Sequence, residues 1–369
     1  MPKIATFDDW IDLFRQWQED IGVDRSIIGD YRFEAKFGAL DSQEIEFGAF
    51  AGTPKWQTVL QIPDQRIRDA LLNYLIVQGD TEFASVEQQR HLIATAPHDY
   101  DRRALVRIMT EEMRHGWQMS YLLVTYFGNS GRVEAEKLLQ RRAFNRNRLL
   151  GAFNEAVRDW LDFLVYTECQ DRDGKYQLTM FRRSAFAPLA RSMPPMLKEE
   201  AFHLGTGHSG LKRVVKAGKI PSTLIQKYFN KWVPACYDLF GTDGSSSAHW
   251  AYTWGLKGRY NEGTTAEPAD LDRLNEMARR LYVRELEELV TELNRSIPTD
   301  QPVLRLPDLK FRRRIGDHAH QPYAVDGTLL ASEEYEQHLK EALPAPEDLQ
   351  RIDALMQEPG WIASRPVKS

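Results

Sequence analysis

Cysteine is nearly missing from this chain: Cys169 and Cys236 are the only two in 369 residues. A scaffold stapled by disulfides is therefore excluded, and a reducing compartment fits this usage. Long apolar runs are missing too. None approaches the roughly 20 residues that span a bilayer, so no membrane segment is expected. Positive charge is not in surplus. Lys and Arg number 48 against 53 Asp and Glu, a net charge of −5, which argues against nucleic acid as a partner. The opening MPKIATFDDWIDLF lacks the basic stretch and apolar core of a secretory signal. The expectation is a soluble cytoplasmic protein. Neither a fixed-period repeat nor a low-complexity tract is present.

Strand-like alternation is scarce, and helical spacing predicts an all-α protein. Helices are expected over about Phe7–Asp20, Pro63–Ala96, Tyr100–Phe127, Arg132–Ala143, Ala152–Asp171, Gln177–Arg191, Met196–Ala217, Ser222–Leu239 and Asp270–Asn294. Pro63 suits a first turn, Pro97 stops the second helix, and the Gly174 of DRDGK reads as a turn. MPPM reads as a kink or a helix start. The tail from Ile297 carries prolines and the basic run KFRRR. The expected division is an N-terminal helix and irregular segment over 1–60, a helical bundle over 61–240 and a helical, partly irregular extension over 241–369 that wraps the bundle.

One unit recurs inside apolar sequence. TEEMRHGWQM places Glu112 three residues before His115, and LKEEAFHLGT places Glu200 three before His203. Residues three apart share a helix face, so each pair can hold one ion. Glu111 and Glu199 lie about 100° away and are expected to point elsewhere. A four-helix di-iron or di-manganese carboxylate bundle uses two such pairs and one carboxylate from each of two further helices. Those acids are present. Glu82 lies in VQGDTEFASV, 30 residues before Glu112 (112 − 82), and Asp171 lies 29 before Glu200 (200 − 171). Glu168, three before Asp171, is the rival ligand. Carboxylates bridge irons and change binding mode, and imidazole binds without adding charge. Four carboxylates also neutralise two ferrous ions, which makes their burial tolerable.

Other candidates have plainer readings. Gln78, one turn before Glu82, either hydrogen-bonds a ligand or substrate or serves structure alone. His208 turns off the ligand face and is a candidate for the substrate pocket. Cys169 reads as a core filler, and His91 as a surface residue. The basic stretches QRRAFNRNR and KFRRR either hold an anionic handle or partner, or form salt bridges.

The segments QGDTEFASVEQQRHL, EEMRHGWQMSYLL, DRDGKYQLTMFRRSAFAPLAR, EEAFHLGTGHSG and LPDLKFRRRIG resemble the oxygenase components of benzoyl-CoA 2,3-epoxidases. These lie within the phenylacetyl-CoA monooxygenase superfamily of ferritin-like di-iron proteins. The resemblance implies a ferritin-like bundle with Glu82, Glu112, His115, Asp171, Glu200 and His203 as iron ligands, and it favours Asp171 over Glu168. Glu82, Glu112 and Glu200 are the carboxylates expected to act in catalysis. It implies two Fe ions, O2 as co-substrate, and electrons from a separate reductase carrying NADPH, FAD and iron–sulfur clusters. The substrate would be an aromatic acyl-CoA, epoxidised or hydroxylated by a monomer or homodimer. Two departures, a short YNEGTTAEPADLD segment and Phe202 in the second motif, leave room for another reading. That alternative is a di-iron oxygenase or oxidase of free or carrier-bound aromatic or amino-aromatic substrates in secondary metabolism.

Overall fold

The computed structural model describes residues 4–365 apart from 244 and 266. Among them are eleven α-helices and no paired strands, only isolated bridges. The helices are α1 (Phe7–Asp20), α2 (Gln65–Gln89), α3 (Asp99–Tyr126), α4 (Gly128–Gln140), α5 (Trp160–Phe181) and α6 (Ala187–Ala217), followed by α7 (Ser222–Leu239), α8 (Ser246–Thr253), α9 (Leu274–Asn294), α10 (Ser332–Ala342) and α11 (Pro346–Gln357). The all-α expectation holds. No helix is long and apolar enough to cross a membrane.

Helices α5 and α6 differ from the sequence reading for physical reasons. Helix α5 starts at Trp160 rather than near Ala152, because Asp159 caps it by accepting the Asp162 N–H at 2.8 Å. It then runs through Gly174 to Phe181. A mid-helix glycine costs only about 1 kcal/mol, less than burial of Tyr176, Leu178 and Met180 beyond it returns. Helix α6 starts at Ala187 and carries Pro194 and Pro195 inside it. Pro195 has no N–H for the Arg191 carbonyl. The Gly38 N–H donates to that carbonyl at 2.7 Å instead, so the irregular N-terminal segment repairs the break.

The chain folds as two compact units whose boundaries pass through α5 and α6. The first contains Met1–Ala156, Lys175–Ala201 and Gly244–Asp272. Here α2 and α3 pair, and α1 backs them with an aromatic wall. Trp17 meets Phe83 of α2 with ring centroids 4.9 Å apart, and Phe14 meets Trp117 of α3 at 5.3 Å. Gly116 makes room for this wall, because a Cβ there would lie 2.5 Å from the Phe83 ring.

The second unit contains Val157–Gly174, Phe202–Asp243 and Arg273–Ser369. Its α5 and α6 segments touch through glycine. A Cβ on Gly207 would lie 2.8 Å from the Glu168 backbone nitrogen, and one on Gly210 would lie 2.2 Å from Leu164. The glycines of HLGTGHSG thus serve close helix approach. Near the end of the chain Trp361 is buried, and the Ala363 N–H donates to the Arg213 carbonyl at 3.1 Å.

Candidate metal centre

In the first unit, α2 presents Glu82, α3 presents Glu112 and His115, and α6 presents Glu200. All four are buried. Each offers one ligand atom, and these atoms lie within 4.8 Å of one another. His115 Nδ1 is the nitrogen on this side. It lies 3.4 Å from Glu82, 3.5 Å from Glu200 and 3.8 Å from Glu112. Gln78, one turn before Glu82 on α2, donates its Nε2–H to Glu82 Oε1 at 2.6 Å. One carboxylate oxygen is thereby fixed by a neutral donor.

The electrostatics of this cluster suit a bound cation. Burial raises the Glu82 pKa, but His115, Glu112 and Gln78 outweigh it and hold the carboxyl below its ordinary value. Burial likewise disfavours a charged His115, yet Glu82 and Glu199 on either side hold the imidazole above its ordinary value. A metal ion held by His115 Nδ1 and these oxygens would offset the carboxylate charges together. Oxygen and imidazole donors at this spacing suit iron or manganese.

Glu199 corrects the sequence reading. It does rotate away from the Glu200 face, but it does not leave the site. Its Oε2 lies 2.9 Å from His115 Nε2, the outer ring nitrogen. The same carboxylate accepts from Arg114 Nε at 2.9 Å and lies 3.5 Å from Lys36. Burial pushes its pKa up, but hydrogen bonds from His115 and Arg114 prevail and hold it at about 2. An ionised Glu199 fixes the ring so that Nδ1 faces the three acids. Helical periodicity carried no signal for this contact, because the partner lies on another helix. Glu111, by contrast, pairs with Arg107 at 2.8 Å.

In the second unit, Asp171 of α5 and His203 of α6 are both buried, with His203 Nδ1 3.9 Å from Asp171 Oδ2. Glu168, one turn earlier, is buried in an ion pair with Arg172, which also holds Glu285. Its charge already has a guanidinium partner. His208 is half-exposed and lies 3.2 Å from Glu292 on α9. Cys169 is fully buried, and burial pushes its thiol pKa well up, which leaves it inert. The basic stretches are used internally. Arg148 is buried against Asp80 and Glu87, and Arg313 meets Asp238 at 2.5 Å.

A family model described as "Phenylacetic acid catabolic protein" matches residues 59–325, a span that holds all six candidate ligands. The chain is 35% identical to "Benzoyl-CoA oxygenase component B" of Aromatoleum evansii, across 97% of this chain and 91% of that protein. It is 23% identical to a component of the 1,2-phenylacetyl-CoA epoxidase of Escherichia coli (strain K12), across 52% of this chain and 60% of that one. An all-helical chain with a buried carboxylate–imidazole cluster, matched over this length, belongs to the phenylacetic acid catabolic protein family.

Proposed function

We propose that this protein is a non-haem di-iron monooxygenase that inserts one oxygen atom of O2 into the ring of an aromatic acyl-CoA, by epoxidation or hydroxylation. The convergence of Glu82, Glu112, His115 and Glu200 carries this reading. The relatives' names, an oxygenase and an epoxidase of aromatic acyl-CoAs, supply the substrate class. Glu82, Glu112, His115, Asp171, Glu200 and His203 are the residues that would hold the two irons. When bound and reduced, the irons would activate dioxygen, the source of the oxygen atom that enters the ring.

The chain's own residues set the conditions for that chemistry. Four carboxylates offset the charge of two ferrous ions and spare the fold an uncompensated buried charge. Glu199 keeps His115 in one tautomer, and Gln78 restrains Glu82, so both present fixed donor atoms. The aromatic wall behind α2 and α3 excludes water, which protects an oxidant from being spent on solvent. The chain holds no flavin-binding or iron–sulfur motif, so a separate reductase with NADPH, FAD and iron–sulfur clusters would supply the electrons. The name "component B" of one relative fits a multi-component system. Two buried free cysteines suit a reducing cytoplasm.

Anaerobic loading with ferrous iron tests the site, with two irons per chain expected. Reductase-driven turnover of benzoyl-CoA under 18O2 tests the reaction, with one labelled oxygen expected in the product. A single zinc, or no metal, after loading refutes the proposal. A desaturated product without label shows an oxidase instead.

A further inference from the structure

In the second unit, the last turns of α6 and the C-terminal end of α9 border a cleft of about 520 Å3. We infer that this cleft binds a phosphorylated anion of nucleotide size. Its charge opposes that of the chain. The protein carries −5 overall, yet Lys212, Arg213, Lys216 and Arg295 line the cleft against a single carboxylate, Glu292. That carboxylate is already engaged, by Lys212 at 2.5 Å and His208 at 3.2 Å. Cationic side chains therefore outnumber carboxylates in the lining.

Their arrangement suits phosphate. Arg213 is buried and held in place, because its Nε donates to the Ala363 carbonyl at 2.5 Å and its own carbonyl accepts the Ala363 N–H. A guanidinium fixed in this way loses little freedom when it meets an oxyanion. Lys216 and Arg295 are exposed and make no ion pair or side-chain hydrogen bond among the described residues, and the hydroxyls of Ser209 and Ser296 are likewise uncommitted. Cations at helix C-termini offset the helix dipole, which accounts for Lys216 on α6. It does not account for a concave wall of several cations and two spare hydroxyls. The volume lies within the range of small-molecule sites and well exceeds that of a lone phosphate.

Two sources offer this chemistry. One is the adenosine-phosphate handle of an acyl-CoA, which rests on the proposed function. The other is a free nucleotide that binds independently of turnover. Lys212 lies nine residues beyond His203 on α6, about 14 Å along the axis and half a turn around it. A substrate handle would therefore have to pass around the helix.

The test is calorimetric titration of the full-length protein with adenosine 3′,5′-bisphosphate, ADP and inorganic phosphate, at low and high salt. The wild type is expected to bind one of the nucleotides more tightly than phosphate, with affinity falling as salt rises. The Lys216→Ala/Arg295→Ala variant is expected to lose at least tenfold, with an unchanged far-UV spectrum. This measurement needs neither iron nor turnover, so it stands if the monooxygenase reading fails. Turnover then assigns the source. A handle site raises the KM for the acyl-CoA in the variant and leaves that for a truncated N-acetylcysteamine thioester alone, whereas a free-nucleotide site leaves both unchanged. No nucleotide binding by the wild type overturns the inference, as does binding that the variant retains in full.

Discussion

His115 is held from both ends, with Glu199 Oε2 2.9 Å from its outer nitrogen and the candidate ligand acids on its inner one. Partners of this kind, behind a metal-ligating histidine, are worth 10–100-fold in metal affinity. Glu199→Gln keeps the shape of the side chain and removes its charge. The expected outcome is ferrous affinity lowered by roughly one to two powers of ten in chelator competition under anaerobic conditions. Unchanged affinity would mean that Glu199 serves only Arg114 and Lys36.

Gly116 and Phe83 make a second test. A methyl group at Gly116 meets the Phe83 ring at 2.5 Å, in a wall already filled by Trp10, Phe14 and Trp17. Overpacking of this sort costs about 1–3 kcal/mol. Gly116→Ala should therefore lower Tm measurably, and Phe83→Leu should restore part of the loss when combined with it. Additive effects in the double variant would show that the two positions do not press on each other.

The proximity of Glu82, Glu112, His115 and Glu200 was legible because helical geometry and two matched loop lengths both write themselves into residue spacing. Glu199 was not legible, since its contact depends on how α6 faces α3. The path of α5 through Gly174 was hidden for a related reason. Gly174 weakens a helix locally, and only the burial of Tyr176 and Leu178 overrides it. The uninterrupted α6 depends on Gly38, more than 150 residues before Pro195 in sequence, donating to the Arg191 carbonyl. Periodicity reports what a segment prefers and is silent about such distant partners.

Arg148 links α2 to the segment after α4, and this link carries a large stability prediction. Its guanidinium is buried and donates to Asp80 at 3.1 Å and Glu87 at 2.7 Å. Glu87 also accepts from Trp17 Nε1 at 3.0 Å and from the Ala143 N–H at 2.6 Å. Arg148→Met removes the guanidinium closest to both buried carboxylates, leaving Glu87 its two neutral donors and Asp80 the Leu149 N–H and Arg141 at 3.5 Å. Breaking a buried ion pair from one side costs about 3–5 kcal/mol, so the denaturant midpoint should fall sharply. A fall within about 1 kcal/mol, the worth of a surface pair, would show that water replaces the guanidinium.

Asp159 gives the fold a pH dependence of its own. Burial and the charge of Asp162 push its carboxyl up to about 6, from 3.8 in an unstructured chain, despite a hydrogen bond from the Tyr228 hydroxyl at 2.6 Å. Asp162 stays supported by Lys231 at 2.6 Å and the Trp232 indole at 2.5 Å. The folded state thus holds a proton on Asp159 that the unfolded chain releases near pH 4. The stabilisation from this group is complete below that pH and is lost as pH rises through about 6. At about 1.4 kcal/mol for each tenfold change in proton affinity, the full swing is at most roughly 3 kcal/mol. Asp159→Asn keeps an oxygen to cap α5 and cannot ionise. Denaturant unfolding at several pH values between about 4 and 7.5 should show the variant gaining stability relative to the wild type toward the upper end. Parallel curves would mean that Asp159 titrates in the folded protein as it does in the unfolded one.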